Sequence, residues 1–170
     1  MLDFWRESLP EFDGAVLEAK DARQTGRPSS EAQSDAFAAI ERMALRLSLA
    51  DRVVISTPTW NFGIPDKLKQ WFDNIVQPGI TFGFSPATGY RPLLNDLPRL
   101  VIVASGSDFV TGMNRGRVDV ATPYLRDALR FIGLANSRFV LIGPTTGPGG
   151  PIEAARLSAH RRLAEIATSF

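Results

Sequence analysis

The densest chemistry in this sequence lies in eight residues, Pro58-Thr59-Trp60-Asn61-Phe62-Gly63-Ile64-Pro65, which follow an uninterrupted β-branched run. Two aromatic rings flank an amide. The rings of Trp60 and Phe62 offer faces for stacking, and Asn61 carries both a donor and an acceptor for the polar edge of a planar heteroaromatic ligand. The same residues suit a plainer role, with the rings covering the core and Asn61 making the turn. A second loop, SGSDFVTGMNRG (Ser105–Gly116), is small and polar directly after a strand-like run, so its backbone could lie close against a ligand or form an ordinary flexible loop. Its Arg115, with the following Arg117, could meet an anionic substrate or the phosphate of a nicotinamide cofactor. Both also suit solvated loop charges. A third loop, GPTTGPGGP (Gly143–Pro151), carries the weakest signal and reads as turn punctuation.

Other chemistries find little support. One histidine, His160, and no cysteine leave no Ser-His-Asp triad, no disulfide and no dedicated zinc site. Neither the dinucleotide fingerprint GxGxxG nor the phosphate-loop pattern GxxxxGK[ST] occurs. Nineteen Lys and Arg against 18 Asp and Glu leave a net charge of +1, which is no footprint for nucleic acid or for a polybasic membrane arm. No apolar run approaches the ~20 residues that span a bilayer, and the opening MLDFWRESLP lacks a signal-peptide pattern. The expectation is a cytoplasmic protein acting on a small molecule, with no nucleic acid and no membrane among its partners.

The elements that must carry these loops are legible from periodicity. Arg52–Thr57, Leu100–Ser105 and Phe139–Gly143 are short apolar runs of the kind found in strands buried on both faces. Between them lie helical patterns. Ser30 with Gln33 forms a capping box for a helix to about Leu49, with Phe37, Ile40, Ala44 and Leu47 inward. Pro65 opens a helix that buries Leu68, Trp71, Phe72, Ile75 and Val76 and stops at Pro78-Gly79. Further helices are predicted from about Pro123 to Ile132 and from Ile152 to about Ser169. Alternating strands and helices indicate an α/β domain with a parallel sheet, in one domain spanning 1–170. In such sheets the ligand crevice forms at the carboxyl ends of the strands, where all three loops fall.

STPTWNFGIPDKLKQWFDNI (Ser56–Ile75), continuing into QPGITFGF (Gln77–Phe84), resembles the signature of the FMN-dependent NADH-azoreductases, members of the flavodoxin-like NAD(P)H:quinone oxidoreductases. ATPYLRDALRFIGL (Ala121–Leu134) resembles the family's fourth helix, and LPEFDG (Leu9–Gly14) the loop after its second strand. The similarity runs collinearly over nearly the whole chain. It implies a flavodoxin-like three-layer sandwich with a mostly parallel sheet, non-covalent FMN, and a homodimer with its active sites at the subunit interface. It further implies ping-pong transfer of two electrons from NADH or NADPH to a quinone or azo compound. Thr59, Trp60, Asn61 and Phe62 match the loop along the flavin ring; Ser105, Gly106, Ser107 and Asp108 match the second flavin loop. Phe84 and Phe131 match aromatic positions beside the substrate. No catalytic side chain is needed, because the flavin itself carries the hydride.

Two departures from the family pattern generate expectations of their own. The second loop usually reads Ser-x-Gly-Gly, and a carboxylate at Asp108 would repel a reduced, anionic flavin if it faced inward. The family also opens with a strand, a Ser-rich phosphate loop and a helix, roughly 30 residues in all. Here the match begins near the second strand, at Leu2–Trp5, which implies an N-terminally truncated sheet with a gap beside the strand at Val53. Loss of that phosphate loop would remove roughly 5 kcal/mol of charge-assisted hydrogen bonds and weaken FMN binding by about several thousand-fold. The alternative function is a flavin-free module for binding or oligomerisation through the exposed edge of the Val53–Thr57 strand.

Overall fold

The three apolar runs form one parallel sheet in a computed structural model that describes residues 1–95, 97–114 and 116–170. The elements in chain order are α1 (Gly14–Thr25), α2 (Glu31–Ser48), β1 (Val53–Pro58), α3 (Asp66–Ile75) and the strands β2 (Phe82–Ser85) and β3 (Gly89–Pro92). They continue with β4 (Arg99–Ala104), α4 (Ala121–Phe131), β5 (Arg138–Ile142) and α5 (Gly149–Ala167). The chain divides into two compact units. The first comprises Met1–Ala50, Asp66–Asn95 and Phe131–Gly133; the second comprises Asp51–Pro65, Asp96–Arg130 and Leu134–Phe170.

In the second unit the strand order is β1-β4-β5, all parallel, with Val53 opposite Arg99 and Leu100 opposite Arg138. Side chains alternate between the faces of a strand. Phe139 of β5 accordingly meets Arg126 of α4, 4.1 Å from guanidinium to ring centre. Its neighbour Val140 packs with Leu100 and Ala159 of α5 on the other face, backed by Leu163 and Ile166. This unit is thus layered, helix on sheet on helix. Among the described residues no strand pairs with the second edge of β1, where Val54 is 57% exposed.

The first unit is built from helices and a hairpin. The capping box at α2 is present: Ser30 Oγ accepts from Gln33 N, and Ser30 N donates to Gln33 Oε1 at 2.9 Å. Phe37, Ile40, Ala44 and Leu47 are its buried stripe. Helix α1 is absent from the periodicity reading because its inner face is only Val16, Ala19 and Ala22. Its caps mark it instead, with Asp13 at the start and Gly26 in the left-handed region (φ 70°) at the end. Helix α3 is tied to the Leu9–Gly14 loop, since Gln70 and Asn74 both donate to the Pro10 carbonyl at 3.1 and 2.9 Å.

The expected strand at Leu2–Trp5 is a turn. Asp3 accepts from Trp5 N through its carboxylate, and from Arg6 N and Glu7 N through its carbonyl. The backbone groups that a sheet would use are therefore satisfied locally, the usual effect of a short acidic side chain. Boundaries shift elsewhere: α4 begins at Ala121 rather than Pro123, and α5 at Gly149 rather than Ile152.

Candidate functional site

Parallel strands release their following loops at a common edge. In the second unit these loops are hydrogen-bonded to one another. Thr59 N donates to the Ala104 carbonyl and Ser105 N to that of Ile142, both at 2.8 Å, while Thr145 N reaches Ser105 O at 2.9 Å. The result is a cavity of about 540 Å³. Thr59, Trp60, Asn61 and Phe62 line it from the first loop, Ser105, Gly106 and Ser107 from the second, and Thr145 and Thr146 from the third. Its size lies within the usual range of small-ligand sites.

The first loop is a tight turn. Trp60 and Gly63 exchange two backbone hydrogen bonds of 2.9 Å, and both central residues are left-handed, Asn61 at φ 47° and Phe62 at φ 73°. Asn tolerates that region, whereas a bulky residue such as Phe costs about 1–2 kcal/mol there. The turn holds Trp60 50% and Phe62 65% exposed, so these rings do not cover the core. Asn61 does make the turn, as the plainer reading had it.

The second loop approaches the third because two glycines leave room. A Cβ at Gly143 would lie 2.3 Å from the Ser107 carbonyl oxygen, and one at Gly106 would lie 3.0 Å from Thr146 Oγ1. Ser105 is buried and its hydroxyl accepts from Ser107 N at 3.1 Å. Asp108 is buried too, but is not among the cavity-lining residues. Its carboxylate accepts from the Thr111 hydroxyl and from Thr111 N and Val110 N at 2.9 and 3.0 Å. These bonds, the Thr111 hydroxyl first, hold its carboxyl below the ordinary carboxylate range. The charge is thus consumed in the loop's own turn.

Two contributions to the site were weak or ambiguous in the sequence. Thr145 and Thr146 come from the loop that read as punctuation, where only its position after a strand pointed to a site. Arg117 is pinned at the cavity: its guanidinium lies 5.1 Å from the Phe62 ring centre, and its Nη1 donates to Ser107 Oγ at 3.1 Å. Arg115 lies outside the described residues. Asp119 also lines the cavity, with one carboxylate oxygen accepting from Thr122 N at 3.0 Å near the start of α4.

Phe84 and Phe131 belong to the first unit. They are joined there through Tyr90, whose ring centre is 4.9 Å from that of Phe84 and 5.5 Å from that of Phe131. Tyr90 faces Phe84 directly across the β2–β3 hairpin, and both are more than half exposed. Sequence reasoning missed Tyr90 because the hairpin itself was not anticipated. His160 is exposed along α5. No group of three or more His, Asp or Glu among the described residues could hold a metal ion, and no described helix is long and apolar enough to cross a membrane. The site offers stacking faces, hydroxyls, an amide, the Arg117 guanidinium and the Asp119 carboxylate: equipment for holding a flat polar ring system.

Comparison with known proteins gives a consistent picture. The model of a family described as having a flavodoxin-like fold matches residues 1–166. The FMN-dependent NADH:quinone oxidoreductase 1 of Bradyrhizobium diazoefficiens is 68% identical over 170 residues, which is 100% of this chain and 82% of that protein. An azoreductase from Bacillus anthracis str. Sterne matches with a TM-score of 0.87 at 25% identity, over 99% of this chain and 80% of its own. A FMN-dependent NADH-azoreductase from Bacillus anthracis str. Ames Ancestor, solved in complex with FMN, matches with a TM-score of 0.79 at 25% identity, over 98% and 79% of the two chains.

Proposed function

We propose a function on one premise: the chain belongs to the flavodoxin-like family that includes the FMN-dependent NADH:quinone oxidoreductases. It is an FMN-dependent oxidoreductase that passes two electrons from NADH or NADPH to quinone or azo compounds in a ping-pong sequence. It works as a homodimer and, given its cysteine-free composition, in the reducing cytoplasm. The observation that carries this reading is the cavity at the strand ends, with two exposed aromatic faces beside a rim of hydroxyl and amide groups.

The residues present fit a flavin ring. Trp60 and Phe62 supply stacking faces held outward by a strained turn, and Asn61, Thr59, Ser105 and Ser107 supply neutral donors and acceptors. Gly106 lets backbone come close without a Cβ in the way. Asp108 acts one step back, holding the loop through Val110 and Thr111 with its charge turned away from the ligand. When bound, FMN supplies the hydride chemistry, so no side chain has to act as nucleophile or base. Phe84 and Phe131, with Tyr90 between them, supply an aromatic surface for a flat acceptor.

Titration of the purified chain with FMN, read by quenching of flavin fluorescence, tests the reading. Saturable quenching with one flavin per chain is expected, together with quinone-dependent oxidation of NADH. Trp60→Ala should weaken flavin binding by about tenfold, the scale of one lost stacking contact. No quenching at saturating FMN would overturn the proposal. It would instead favour the flavin-free module, for which the motive is the edge of β1 that no strand pairs among the described residues.

A further inference from the structure

Among the described residues the Arg117 side chain makes two contacts, and neither one neutralises it. Its guanidinium lies over Phe62 at 5.1 Å, within the range of a cation–π contact, and one nitrogen donates to Ser107 Oγ at 3.1 Å. Among the described residues no carboxylate lies within ion-pair distance of it. The two acids nearest in sequence within the described residues make their hydrogen bonds elsewhere, and Asp119 keeps its charge on the wall of the same cavity. The Asp108 carboxylate accepts from Val110 and Thr111, and an oxygen of Asp119 accepts from Thr122 N. Phe62 is itself locked in a left-handed turn, so the ring that carries the guanidinium is positioned by backbone rather than by packing. A guanidinium presents five donors in a flat fork, and one hydrogen bond to Ser107 leaves most of that fork available.

We propose that Arg117 is an anion-recognition residue that selects planar aromatic ligands bearing a sulfonate, carboxylate or phosphate group. The inference rests on the reading of this cavity as a site for flat aromatic ligands. It adds a specificity: the ring stacks on the aromatic loop while its anionic substituent meets the guanidinium at the rim. The anion could belong to the electron acceptor or to the flavin. A charge-assisted hydrogen bond to an ionised group is among the stronger polar contacts.

Binding to the purified chain, followed by tryptophan fluorescence and calorimetry without turnover, separates these sources. Two probe pairs are used: 1,4-naphthoquinone-2-sulfonate against 1,4-naphthoquinone, and FMN against riboflavin. Arg117→Gln should lower the anionic-to-neutral affinity ratio of one pair by about tenfold or more, the scale of one charge-assisted hydrogen bond. A fall in the quinone ratio assigns the anion to the acceptor, and a fall in the flavin ratio assigns it to the cofactor phosphate. Arg117→Lys should recover part of the ratio, because it keeps the charge and loses the fork. If all four probes bind and neither ratio moves, the role of Arg117 is overturned while the cavity reading stands. If none of the four binds the unaltered chain, both fall.

Discussion

At the scale of single residues, the site depends on backbone conformations and hydrogen bonds that residue type alone does not announce. Phe62 occupies a left-handed conformation, and its exposed ring recovers little of that cost through burial. Phe62→Gly should therefore raise stability by up to about 1 kcal/mol, the left-handed penalty less the extra chain entropy of glycine. It should also weaken flavin binding, so urea unfolding and FMN titration move in opposite directions. Asp108 makes a second residue-scale prediction. Its carboxyl is held below its ordinary range in the fold, so the stability it contributes is full above that range and is lost as pH falls through it. Urea midpoints taken at intervals from pH 5 down to 2 should fall less steeply in Asp108→Asn than in the parent chain.

At the scale of elements, short strands are useful here because of how closely their following loops pack. Gly143, at the end of β5, leaves 2.3 Å between a would-be Cβ and the Ser107 carbonyl, a distance at which backbone must move. Gly143→Ala should cost about 2–3 kcal/mol in thermal or urea unfolding, in the range of overpacked sites, and should loosen the Ser105–Ser107 loop. Helix α2 offers a contrast with a purely local device. Ser30→Ala removes its capping bond and should cost about 1 kcal/mol without altering ligand binding. Capping boxes and apolar stripes are readable because they lie within a few consecutive residues. The β2–β3 hairpin was not readable, because Gly83, Gly89 and Pro92 dilute its strand signal. Tyr90 belongs to that hairpin, opposite Phe84.

At the scale of the molecule, charge and edge act together. A net charge of +1 gives little mutual repulsion between copies, and among the described residues β1 presents an unpaired edge with Val54 exposed. Concentration-dependent association beyond the proposed dimer is the expected consequence. Val54→Lys should suppress it in sedimentation velocity while leaving the proposed dimer in place, since an edge lysine is a common block to strand addition. Loss of the dimer in that variant would locate its interface at β1.

What the sequence determined by itself was local and compositional. The three strands, the capping box of α2, the apolar stripes of α2 and α3, and the aromatic–amide loop at Thr59–Phe62 all follow from contiguous residues, and so does the likeness to the azoreductases. Burial on both faces does not hold for β1, where Val54 is exposed. The turn at Leu2–Trp5 went the other way, because Asp3 satisfies nearby backbone groups that an apolar pattern leaves unconsidered. Only tertiary structure decided which loops meet. It brings Thr59 to Ala104 across 45 residues, seats Arg117 over Phe62, and binds the Asp108 charge into its own turn. The physical reason is the range of the signal. Helix periodicity and capping are written within one or two turns, whereas a cavity is made by separations that no short spacing encodes.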